Sequence, residues 1–108
     1  MIATMRDARA VERFAVNGGT SCSFALPVVA DPGPAKIRDV SMTGVGLVLG
    51  RRVEVGSLLA VGLVNPAKGF ARTVMVEVTH VTPAAGGFLV GGVFLTPLTY
   101  PEMTALVL

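Results

Sequence analysis

Apolar and polar residues alternate with a period of two over much of the chain, the pattern of strands whose two faces meet different surroundings. From Thr20 onward, Cys22, Phe24, Leu26 and Val28 fall on one face and Ser21, Ser23 and Ala25 on the other, which predicts a first strand. Gly18-Gly19 ahead of it mark a bend or bulge. Asp31-Pro32-Gly33-Pro34 behind it mark a turn, because proline presets one dihedral and glycine admits a positive one. A second strand is expected over 36–41. The third, over 45–49, is nearly all apolar, as it would be if both faces were covered or a helix lay on one. Leu58 to Val64 gives a fourth strand and 65–69 a hairpin loop. The fifth is the longest, from Phe70 to Val81, with Phe70, Val74, Val76 and Val78 opposite Thr73, Glu77 and Thr79. Residues 83–87 turn the chain back into a sixth strand, 88–95, where Gly91-Gly92 admit a bend or a close backbone approach.

The chain ends in a helix. Thr99 is the N-cap, Pro101 is tolerated in the first turn, and Glu102 completes a capping box. Leu98 and Met103 are spaced as a hydrophobic staple, and Met103, Leu106 and Val107 share a face. Six strands with short connections and no crossover helix predict an all-β fold: a six-stranded antiparallel barrel, closed so that no edge is exposed, with a short C-terminal helix on it or plugging one end.

Composition narrows the class. With 108 residues and 52% hydrophobic content the chain can bury one core but not two. No apolar run approaches the roughly 20 residues of a spanning helix, and Met1 to Val16 lacks an apolar stretch of signal-peptide length. The single Cys22 excludes an internal disulfide and, facing inward, reads as core packing. A cytoplasmic protein without a membrane partner is expected. A net charge of +2 is slight for a nucleic-acid binder, and the few aromatic residues fall mostly at core-patterned positions, so no nucleic-acid partner is expected either.

The distribution of charge says more than its sum. Arg6, Arg9 and Arg13 crowd one short polar segment, which predicts a flexible N-terminal arm over 1–13 and the barrel over 14–108. Arg9 and Arg13 supply two planar forks suited to phosphate oxygens and to the edge of guanine. Further on, alternation along a strand would put Asp39 and Ser41 on one side, beside a flexible turn at Gly44. Asp39 can accept from the N1–H and N2–H2 donors of guanine, Ser41 can donate to phosphate, and Gly44 keeps the turn clear of a side chain. Together these residues would form a small site for an anionic nucleotide.

Other residues offer less. His80, placed on the apolar face of the fifth strand near its end, has no Cys, Asp or Glu at ligand spacing and reads as a rim or core histidine rather than a metal ligand. Arg51-Arg52 read as a solvated loop. No order of nucleophile and base, no paired carboxylates and no phosphate-cradling loop suggests catalysis, so no enzyme is expected.

Arg9-x-x-x-Arg13-Phe14 followed by Asp39-x-Ser41-x-x-Gly44 is similar to the two-part signature of PilZ domains, bacterial receptors for cyclic di-GMP. The resemblance runs on through the apolar 45–49 and the Gly-rich last strand to the closing helix. It implies a PilZ-type barrel that binds cyclic di-GMP without any further cofactor, with the arginine arm wrapping the ligand against Asp39 and Ser41. In that family the residue before the first arginine influences whether one or two ligand molecules are held. That position is Ala8, and Arg6 is an ancillary candidate for part of its role. The implied function is signalling to an effector protein by ordering of the arm, from a monomer or weak dimer. The alternative is a protein-interaction module that keeps the barrel without the ligand.

Overall fold

The structure, a computed structural model, describes residues 12–25 and 35–108. Arg6, Ala8, Arg9, Leu26, Val28 and the turn expected at 31–34 lie outside the described residues. The described elements are β1 (Phe14–Ala15), β2 (Ser21–Ala25), β3 (Ala35–Val40), β4 (Gly44–Leu49), β5 (Leu58–Asn65), a 3₁₀ turn (Pro66–Lys68), β6 (Phe70–Ala84), β7 (Gly87–Phe94) and α1 (Tyr100–Val107).

All seven strands join one antiparallel sheet in the order β1-β3-β4-β7-β6-β5-β2. The expectation of six strands and a closed barrel is corrected. A seventh strand, β1, pairs Phe14 and Ala15 with Val40 and Asp39; two residues are too few to leave an alternation in the sequence. The sheet curls into a half-barrel, and β1 and β2 remain its two edges. Its curl brings 20–22 opposite 35–37 across a cavity of about 240 Å³, with no described ladder closing it.

Inside the curl sits one core. Val40, Val45, Leu47, Leu49, Leu59, Val61, Leu63, Val76 and Val78 are all essentially inaccessible, each such side chain contributing on the order of 1.5–3 kcal/mol. The helix closes one end as its spacing predicts: Leu98, Met103 and Leu106 enter the core. Thr99 Oγ1 accepts from Glu102 N at 3.3 Å, and Thr99 N donates to Glu102 Oε1 at 2.8 Å. Cys22 is half-buried against the core, and burial pushes its thiol up to about 11.

Polar bonds fix the helix to the sheet. Asn65, expected in a loop, is the buried last residue of β5, and its Nδ2 donates to Ala105 O at 2.8 Å. The bend at Gly18-Gly19 is an asparagine-capped turn in which Asn17 Oδ1 accepts from Gly19 N at 2.9 Å, while Asn17 N donates to Leu106 O at 2.9 Å. The path from the arm into β2 is thereby held against the C-terminal helix.

β6 runs further than expected, to Ala84. Beyond Glu77 it pairs only with β7, so the missing N–H of Pro83 falls where one side of the strand has no described partner.

Candidate functional site

Two β-bulges shape the outer face of the sheet. In β3 the register with β4 shifts between Ile37 and Asp39, and in β6 the register with β7 shifts between Val78 and His80. A bulge inserts one residue and turns neighbouring side chains the same way. Arg38 and Asp39 therefore both face outward between the buried Ile37 and Val40. Likewise Thr79 and His80 are both exposed, and the partly buried position moves to Val81. This corrects the placement of His80, which lies on the outer face and not on the apolar one.

The shifted registers create a row across four strands. Asp39 stands opposite Gly46, Gly46 opposite Gly91, and Gly91 opposite His80. The two glycines leave the middle of the row without side chains, and the flanking groups lean into the space. A β-carbon on Gly46 would lie 2.5 Å from Asp39 Oδ1, and one on Gly91 would run into Cε1, Nε2 and Nδ1 of His80. The result is a shallow trough of about 230 Å³, walled by Arg13, Arg38 and Asp39 on one side and by His80 and Thr82 on the other.

Arg13 reaches this trough because β1 pairs with β3. Its Nη1 donates to Asp39 Oδ1 at 2.9 Å, and Arg38 Nε donates to Oδ2 at 3.2 Å. The Arg13 side chain keeps 44% of its exposure and Asp39 17%. Two guanidinium groups against one carboxylate leave the lip with an excess of positive charge. An exposed ion pair of this kind is worth about 1 kcal/mol or less, so Arg13 can exchange its partner for another anion at small cost.

The other two motif residues serve the turn. Ser41 is 1% exposed, and its hydroxyl accepts from Thr43 N at 3.2 Å and Gly44 N at 3.0 Å. Ser41 N in turn donates to Gly44 O at 2.9 Å. The expected shared surface of Asp39 and Ser41 is corrected: the strand ends at Val40, alternation ends with it, and the hydroxyl folds inward to satisfy two backbone donors. Gly44 is the first residue of β4, and its φ is not positive. A β-carbon there would stand 2.6 Å from Gly92 O, so close approach of β7, rather than turn flexibility, demands glycine.

The sequence analysis passed over His80, Gly46, Gly91 and Arg38, although the signal was present. Apolar positions recur every second residue at Val74, Val76 and Val78, then skip three to Val81; Ile37 and Val40 show the same slip. A slip of one residue in an alternating pattern is what a bulge leaves behind.

Among the described residues no group of three or more His, Cys, Asp or Glu is placed to hold a metal ion, and no helix is long and apolar enough to cross a membrane. No protein-family model matches the chain, and no curated protein matches its sequence.

Proposed function

We propose that the chain is a PilZ-type receptor for cyclic di-GMP, a non-catalytic module that takes up the ligand over the glycine-floored trough and passes the signal to an effector protein. One observation carries this reading. The two halves of the motif meet: Arg13 and Asp39 are bonded at 2.9 Å at the lip of an outward-facing trough. Guanine brings N1–H and N2–H2, a pair of donors that the Asp39 carboxylate can accept together and that adenine does not offer. Arg13 then turns from Asp39 to a phosphate or to guanine O6 and N7. Arg9, four residues earlier, supplies the second fork, and Ser41 keeps the turn that carries Asp39 in place.

A trough of about 230 Å³ is below the roughly 300–1,000 Å³ that encloses a drug-sized ligand. It suits one base, with the phosphates left to the arginines at the lip. Fixing the arm over the ligand changes the surface ahead of β1, which is the signal in this scheme.

Calorimetric titration with cyclic di-GMP tests the reading. Micromolar or tighter binding is expected, lost in Arg13→Ala and Asp39→Ala while both variants stay folded. No heat and no complex at high micromolar ligand would refute it.

A second reading, a protein-interaction module, is favoured by a different surface. Leu58, Met75, Val93 and Leu95 are exposed on the outer face of β5, β6 and the end of β7. Capture of a partner that is indifferent to nucleotide and to changes at Arg9 and Arg13, but sensitive to Met75→Glu, would select it.

A further inference from the structure

The half of the trough opposite Asp39 is built as deliberately as the half that bears it. The bulge at Thr79 brings the His80 side chain out, and Gly91, the residue facing it, has no β-carbon to hold the ring away. The imidazole therefore lies across the sheet at the height of a β-carbon, its Nδ1–Cε1–Nε2 edge over Gly91, and Gly91 is buried beneath it. Thr79 fixes the bulge, its Oγ1 donating to Gly91 O at 3.1 Å. On the next strand the Asp39 carboxylate covers Gly46 in the same manner. Since Gly46 and Gly91 are cross-strand partners, the carboxylate and the imidazole cover adjacent positions of one row, about 5 Å apart across the strand spacing.

We infer that His80 is a further ligand-contacting residue of this site: its imidazole is the platform on which the base rests while the edge of that base meets Asp39. The inference rests on the nucleotide-receptor reading above and adds to it a residue outside the two-part motif. A planar ring laid low on a sheet offers its π-surface to whatever enters above it, and stacking on a base tolerates any purine. Asp39 thus selects guanine and His80 supplies sequence-tolerant affinity.

The chain has one histidine, so its imidazole C–H protons form a single assignable pair. Titration of the whole chain with cyclic di-GMP, followed by proton NMR and calorimetry, should move both signals upfield as the base stacks on the ring. His80→Ala should weaken binding by about tenfold or more, and His80→Phe should stay within about threefold of the parent. His80 is exposed, so the thermal melts of both variants should overlay that of the parent. Binding by the parent chain with unmoved histidine signals and an unchanged affinity in His80→Ala would overturn the platform and leave the receptor reading standing. Absence of binding by the parent chain would overturn both.

Discussion

Asp39 and His80 stand in one cross-strand row with only Gly46 and Gly91 between them, although they come from strands on opposite sides of the β4–β7 pair. Each lies next to a bulge, and each leans over the glycine that faces it. The row makes the outer face of the sheet concave at one place and sets acidic and aromatic chemistry at its two ends.

The acidic end should decide which base is accepted. Asp39→Asn replaces one acceptor oxygen by a donor that opposes a guanine N–H, and a hydrogen bond to a charged group is worth about 1.5–3 kcal/mol. Cyclic di-GMP affinity should fall about tenfold to a hundredfold by calorimetry. The adenine analogue should bind the parent chain poorly. Thermal stability should change little, because the Arg13–Asp39 pair is exposed on its arginine side.

The two motif-region glycines should respond in opposite ways to alanine. Gly44→Ala puts a methyl 2.6 Å from the backbone oxygen of Gly92, which cannot move without opening the β4–β7 ladder. A loss of about 1–3 kcal/mol in denaturant unfolding is expected. Gly46→Ala meets only the Asp39 carboxylate, a side-chain end that can swing aside. Its stability should stay near that of the parent chain while cyclic di-GMP binding weakens.

Ser41→Ala should show itself in folding before binding. The substitution removes the acceptor of the Thr43 and Gly44 amide protons, the latter in a buried bond. An unsatisfied buried donor costs about 1–3 kcal/mol, so the urea midpoint should drop. Ligand affinity measured well below that midpoint should fall less than in Asp39→Asn.

The helix cap should give a visible pH dependence. The Thr99 backbone N–H, bonded to Glu102, holds the Glu102 carboxyl below its ordinary value of 4.5, with Arg72 acting in the same direction and burial opposing both. A depressed carboxyl stabilises the fold at pH values above its unfolded-state value and loses that contribution as pH falls through its folded value. The Tm difference between the parent chain and Glu102→Gln should therefore be full at pH 7 and shrink steadily below about pH 4.5. An equal difference at pH 7 and pH 3 would show that the capping box acts without its charge.

Much of the architecture was legible in the chain itself. Alternation at Leu59, Val61 and Leu63 and at Val74, Val76 and Val78 placed β5 and β6, and the Thr99–Glu102 spacing placed the helix start. These features depend on neighbours within a few residues, which is why a linear reading reaches them. Asp39 and Arg13 were likewise nameable from residue type and spacing.

What only the tertiary structure decided is which of those side chains share a surface. Whether Asp39 meets Ser41 or His80 depends on where the strand ends and where each bulge falls, and on which strands the sheet order makes neighbours. One inserted residue reverses the direction of everything after it, so a histidine assigned to the interior came out beside the carboxylate, and a serine assigned to the surface was drawn in to bind its own turn. Local sequence sets the period of a strand; its phase against its partners is settled by long-range pairing.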